Sequence, residues 1–184
     1  MNPSRAIVLV GGASRRMGTD KALVTVDDRP AAVHMCRLLE EAGFDEITLV
    51  GGEGSRFEAH GRAHLPDIEP GRGPLEGIRS ALAASAHEWT LVVPVDLMFL
   101  DVGSIVRMVA ALGEHRFDDV VHASCADGPQ PLFGWWRRST LQTIERELSL
   151  GHFSVRNVVE MFRVSTVDFP VNVLRNVNRP EDLG

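Results

Sequence analysis

The sequence predicts an α/β fold, a three-layer arrangement in which a mostly parallel sheet carries helices on both faces. Three features point there. Short apolar runs alternate with helix-patterned segments, the runs are continuous rather than alternating with polar residues, and the main ones close on glycine or on Pro-x-Asp. Continuous runs bounded by turn signals mark strands covered on both faces, and strand–helix alternation joins such strands in parallel. Residues 6–10 are the first run, closed by Gly11 and Gly12. Residues 22–26 are a shorter one, turned by Asp27 and Asp28. Pro30 is placed to open a helix at its first position, where a missing N–H is harmless. That helix covers 31–42, with Val33, Leu38 and Leu39 as core candidates, and Gly43 ends it. Residues 47–50 and 63–65 are strands. Residues 67–73 are loop, and Pro74 opens a helix reaching about residue 86. A strand over 89–93 closes on Pro94, Val95 and Asp96. A helix over 104–112, strands at 120–123 and 132–136, a helix over 138–148, a short helix near Ser154 and a strand at 163–167 complete the pattern.

The 184 residues are expected to form one domain, 1–184, large enough to bury about 70% of the unfolded chain's surface. With 44% apolar and 24% charged residues, wholesale disorder is excluded. A net charge of −6 argues against a nucleic-acid binder, which needs a basic footprint. It leaves room for a local cation cluster that holds a single nucleotide. Cys36 and Cys125 make no metal or redox spacing. No basic segment leads into an apolar stretch and no apolar run is long enough to span a membrane, so a cytoplasmic location is expected.

In open α/β sheets ligands bind beyond the carboxyl ends of the strands. The segment after the first strand is Gly11-Gly-Ala-Ser14-Arg-Arg16-Met-Gly18-Thr-Asp20-Lys21. It is neither a P-loop nor Gly-x-Gly-x-x-Gly. It gathers glycines, whose backbone lets an anion approach the amides closely, with arginine and lysine, which neutralise phosphate. A tight turn with a solvated cationic rim is the plainer reading of the same residues.

The pattern Gly11-Gly12-x-Ser14-x-Arg16-Met17-Gly18-x-Asp20-Lys21 resembles the motif of the nucleotidyltransferases related to molybdenum cofactor guanylyltransferase. The resemblance continues through Gly73-Pro74-Leu75-x-Gly77, Pro94-x-Asp96 and Asn176-x-Asn178-x-Pro180-Glu181, in order along nearly the whole chain. It implies a Rossmann-like nucleotide-diphospho-sugar transferase fold and a magnesium-dependent transferase, with manganese as the alternative ion. The implied reaction passes GMP from GTP to molybdopterin carrying molybdenum, and pyrophosphate leaves. By the resemblance Leu9, Gly11 and Gly12 contact the nucleotide, Lys21 binds its phosphates, and Arg16 stabilises the departing pyrophosphate. Asp96 holds the metal, Asp67 and Gly73 contact the nucleotide, and Gln130 and Asn178 lie beside the acceptor. A recipient molybdoenzyme or its chaperone is the implied partner. Nucleic acid and membrane are not.

Taken as residues alone, several of these positions have plainer readings. Asp96 could cap the following helix, Asp67 could form a turn, and Asn176 and Asn178 could close the last helix. Asp127–Pro131 reads as a hairpin turn. His60 and His64 are four apart, but Gly61 between them favours a solvated surface over a metal pair. Trp135 and Trp136 are adjacent on a strand and must face opposite ways, so at most one lines a site. Met98 stands two residues after Asp96, where family members commonly have proline. Gly51 and Gly52 stand where the guanylyltransferases have asparagine. A cytidylyltransferase of the same cofactor, or guanylylation of a cobamide precursor, therefore stays open. A sugar-nucleotide pyrophosphorylase is disfavoured by the short chain. A non-catalytic nucleotide-binding domain is disfavoured by the joint presence of Arg16, Lys21 and Asp96.

Overall fold

The computed structural model describes residues 5–11 and 20–177, and β1 (Arg5–Leu9) is an interior strand of its sheet. A short 3-10 turn, Lys21–Leu23, leads into the hairpin of β2 (Thr25–Val26) and β3 (Arg29–Pro30), then α1 (Ala31–Glu41). Next come β4 (Glu46–Val50), β5 (His64–Leu65), α2 (Pro74–Ala83), β6 (Trp89–Pro94) and α3 (Val102–Glu114). The chain continues through β7 (Val120–Cys125), β8 (Gly128–Arg137), α4 (Leu141–Ser149), α5 (Val155–Val159) and β9 (Val164–Asp168). The seven strands of the main sheet run in the order β5-β4-β1-β6-β8-β7-β9. All pairings are parallel except those of β8, which runs against both β6 and β7.

The alternation of side chains along β1 divides the interior in two. Ala6 and Val8 face a cluster with Met35, Leu39, Ile105 and Met108 of α1 and α3. Ile7 and Leu9 face Leu75, Ile78, Ile144 and Val158 of α2, α4 and α5. Helices therefore cover both faces, as the continuous apolar strands predict. Trp135 and Trp136 obey the same alternation, one in each cluster, and both are buried. Each satisfies its indole N–H on a carbonyl, that of Met108 or Pro131. Truncating either would cost about 3–5 kcal/mol.

Several boundaries differ from the sequence expectation for local reasons. Residues 22–26 do not form one strand. Asp27 and Asp28 adopt positive φ, which closes a two-residue hairpin and leaves only Thr25 and Val26 to pair. Pro30 belongs to that hairpin, and α1 starts one residue later, with the Ala31 N–H donating to Val24 O. The core stripe of α1 is Ala32, Met35, Cys36 and Leu39, a helical spacing that puts Val33 and Leu38 on its flanks. The stretch expected as a turn before residue 132 is already strand from Gly128, paired to β7 across an irregularity between His122 and Ala123. Among the described residues, no helix is long and apolar enough to cross a membrane.

Candidate functional site

The carboxyl ends of β1 and β6 lie side by side, with Leu9 opposite Pro94. Asp96 follows the second of these ends and Lys21 the first, after the glycine-rich segment. Asp20 orients the lysine: its carboxylate accepts the Ala22 N–H at 3.1 Å and caps the Lys21–Leu23 turn. Lys21 Nζ then stands 3.5 Å from Asp96 Oδ2. Burial pushes the Asp96 carboxyl above its usual range, and the Lys21 ammonium pulls against that rise. Asp96 does not cap a helix. The cap of α3 is Asp101, whose Oδ1 accepts the Ser104 N–H at 2.7 Å and its hydroxyl at 2.6 Å. The carbonyl of Asp96 is used instead to fasten the C-terminal segment, accepting the Val177 N–H at 2.9 Å. Around the lysine–carboxylate pair lies a cleft of about 240 Å³, lined among others by Leu9, Gly11, Pro74 and Leu132.

Toward β4 and β5 the cleft continues into a cavity of about 680 Å³, bordered by Gly11, Gly52, Arg56, Asp67, Gly73 and Gly77. Its floor is a close approach of backbones. A Cβ on Gly51 would stand 3.0 Å from the Gly11 Cα and 3.1 Å from both Asp67 oxygens, and Gly51 has a φ of +81°. Any side chain there would both strain the turn and crowd the carboxylate. The Asp67 carboxyl is raised above its usual range by burial and then by the negative Glu76, while His64 and Arg79 oppose the shift.

Glu76 is buried, although it sits in the first turn of α2. Its carboxylate accepts the Glu69 N–H at 3.0 Å, the Ser80 hydroxyl at 3.2 Å and the Arg79 guanidinium at 2.6 Å. Ser80 in turn accepts the Ile68 N–H at 3.0 Å. The loop that carries Asp67 is thereby hung from α2 by two amides, one on each of the residues after Asp67.

The structure thus brings Leu9, Gly11, Lys21, Asp67, Gly73 and Asp96 to one edge of the sheet. Gly12, Arg16 and Asn178 lie outside the described residues. Gln130 is on the same edge, on β8, where its amide donates to Leu174 O at 3.5 Å, and it borders neither cavity. His64 is not on a solvated surface. It is half-buried, and its Nε2 lies 2.9 Å from Gly51 O. Two participants escape sequence reading. Glu76 shows there only as an acid in a first turn, a helix-dipole signal that says nothing of burial. Arg56 lies far from any motif, yet it borders the cavity and ion-pairs with Asp20, which borders the cleft. A concave edge that offers an ammonium, a half-buried carboxylate and glycine backbone can hold a polyanion together with a divalent cation.

A model of the MobA-like NTP transferase domain matches residues 6–167. A probable molybdenum cofactor guanylyltransferase of Nostoc sp. is 33% identical over 190 residues, which takes in 100% of this chain and 90% of the relative. A probable molybdenum cofactor guanylyltransferase of Opitutus terrae is 31% identical over 185 residues, 95% of this chain and 90% of the relative. Among solved structures, the molybdopterin-guanine dinucleotide biosynthesis protein A of Archaeoglobus fulgidus superposes with a TM-score of 0.77 at 21% identity, covering 97% of this chain and 94% of its own. That likeness speaks for the three-layer fold.

Proposed function

This chain belongs to the MobA-like NTP transferase family, and we propose that it transfers GMP from GTP to the terminal phosphate of molybdopterin carrying molybdenum. The observation that carries this reading is the meeting of Lys21 with Asp96 at the cleft beside β1 and β6, between a cavity toward β4 and an open side toward β8. The names of the relatives supply the acceptor and the base.

The nucleotide lies with its base and ribose in the cavity bordered by Asp67 and Gly73, and its phosphates in the cleft. The acceptor enters from the β8 side. Leu132 borders the cleft there, and the neighbouring Pro131 borders a further cavity of about 510 Å³ with His122, Arg156 and Phe162. An acceptor phosphate oxygen attacks the α-phosphorus and forms the new P–O bond. The bond between the α-phosphorus and its bridging oxygen breaks, and the electron pair leaves with pyrophosphate. The attacking phosphate is already ionised, so the chain supplies alignment and charge rather than a base. Lys21 neutralises the phosphates, and Arg16 takes the role the family motif gives it, stabilising the departing pyrophosphate. Until the nucleotide arrives, Lys21 pairs with the Asp96 carboxylate and opposes the upward push of burial on it.

The donor set suits magnesium, or manganese in its place. Asp96 is one half-buried carboxylate at the cleft, and magnesium keeps its waters and asks a protein for one or two carboxylates beside the phosphates. Among the described residues no three metal-ligating side chains cluster into a full protein cage. An ion held by Asp96 would draw charge from the α-phosphate and the departing oxygen. A labile product is best handed directly to a recipient molybdoenzyme or its chaperone, in the cytoplasm.

The test is pyrophosphate release by purified protein with GTP, magnesium and molybdenum-loaded molybdopterin, beside CTP and ATP. Release with GTP that requires both acceptor and metal is the expected result. Release with CTP alone would move the base assignment to cytosine. No release with any nucleotide would overturn the catalytic reading.

A further inference from the structure

The cavity beside Asp67 holds one cationic side chain that no step above uses. Arg56 lies in the 3-10 segment after β4, and three contacts set its guanidinium. Nε donates to Glu53 O at 3.1 Å, Nη1 pairs with the Asp20 carboxylate, and Nη2 lies 2.8 Å from where a Gly52 Cβ would stand. The last contact exists only because residue 52 has no side chain, so the guanidinium lies against bare backbone on the cavity wall. Gly52, Arg56 and Asp67 all border this cavity.

From this arrangement we infer that Arg56 reads the base of the nucleotide, donating from its Nη groups to ring acceptors on the purine edge that carries O6 and N7. The inference rests on the nucleotidyltransferase reading, in which the base occupies this cavity. A guanidinium has five N–H donors in a fixed fork. Among the described residues Glu53 O and Asp20 engage two, which leaves three. The ion pair restrains the fork without exhausting it, and a restrained fork loses little freedom on binding. Guanidinium donors match the two acceptors O6 and N7 of guanine, whereas adenine presents an amino donor in place of O6. Asp67 is an acceptor, and it suits the N1–H and N2–H₂ edge of the same base. One donor wall and one acceptor wall select guanine over adenine. Asp20 also caps the turn that carries Lys21, so the base reader and the phosphate lysine hang from the same carboxylate.

The experiment measures equilibrium binding of GTP, 7-deaza-GTP and ATP with magnesium, in wild type, Arg56→Lys and Arg56→Ala. Wild type should bind GTP at least fivefold tighter than 7-deaza-GTP and at least tenfold tighter than ATP. Arg56→Lys keeps a charge for Asp20 but loses the fork. It should bind GTP and 7-deaza-GTP within twofold of each other, with its ATP affinity within threefold of wild type. Arg56→Ala should lose the same discrimination and also bind all three more weakly, because Asp20 is released. A wild type indifferent to the 7-deaza change would overturn the assignment. So would variants that weaken all three nucleotides by one common factor with the GTP preference intact, since that is the mark of a purely structural ion pair. Failure of wild type to bind any triphosphate would strike the nucleotidyltransferase reading itself and so separates the two.

Discussion

Replacing Glu76 with alanine tests how the Asp67 loop is held. The carboxylate is buried and serves the Glu69 amide, the Ser80 hydroxyl and the Arg79 guanidinium, whose side chain is only 13% exposed. Removing one partner of a buried, hydrogen-bonded charge pair costs about 3–5 kcal/mol, because the other charge is left desolvated and alone. For a domain of this size each kcal/mol lowers Tm by about 2–4 °C. The expected drop is therefore about 6–20 °C, read by calorimetry and by the midpoint of urea unfolding. Glu76→Gln keeps a carbonyl oxygen for the Glu69 amide and loses the charge, so it should cost about 1.5–3 kcal/mol, the range of a hydrogen bond to a charged group. Both variants should bind GTP more weakly even where they remain folded, since Ile68 and Glu69, which follow Asp67, hang on this network. An alanine variant within about 1 kcal/mol of wild type, against the expected 3–5, would refute the argument that α2 holds the loop through this carboxylate.

Asp96→Asn should abolish pyrophosphate release while leaving Tm equal or slightly higher, because burial already makes the ionised carboxyl unfavourable in the folded state. For the same reason the Asp96 carboxyl of the metal-free protein should titrate above the ~3.9 of a free aspartate, followed by the NMR shift of its carboxyl carbon, and added magnesium should pull that titration back down. Lys21→Ala should weaken triphosphate binding by about 1.5–3 kcal/mol, roughly 10- to 150-fold in Kd, by isothermal titration. Asp101→Ala removes the α3 cap and should cost about 1 kcal/mol with catalysis retained. The Ser104 contacts hold the Asp101 carboxyl below its usual range, so its stabilisation is present at neutral pH and is lost as pH falls through that lowered value. The wild-type and Asp101→Ala stability curves should therefore converge toward strong acid.

The three layers are legible in the apolar runs, since a strand such as 6–10 with no polar interruption needs cover on both faces. Motif residues at strand ends, Gly11 and Asp96 above all, fall on one edge because each follows one of two parallel strands. Local readings failed where two short-range signals competed. Pro30 reads as a first helical residue, yet the Asp27-Asp28 turn claims it for a hairpin, and the helix gives way by one position. Gln130 reads as loop, but a strand can begin at a Gly-Pro pair when the preceding strand offers a partner across a bulge. Glu76 and Arg56 were illegible for a different reason. Arg79 and Ser80 lie within one helical turn of Glu76, but its loop partner Glu69 is 7 residues away, and Arg56 finds Asp20 36 residues away only once the sheet has closed.

The proposed transfer requires a polyphosphate chain lying between the segment after β1 and Asp96. A crystal of the protein grown with GTP and manganese addresses it directly, because the metal is visible by anomalous scattering. The expected result is an anomalous peak bonded to an Asp96 oxygen, with phosphate oxygens on the same ion and Lys21 turned from the carboxylate to the phosphates. A metal peak remote from Asp96, or a triphosphate seated away from Gly11 and Lys21, would contradict it.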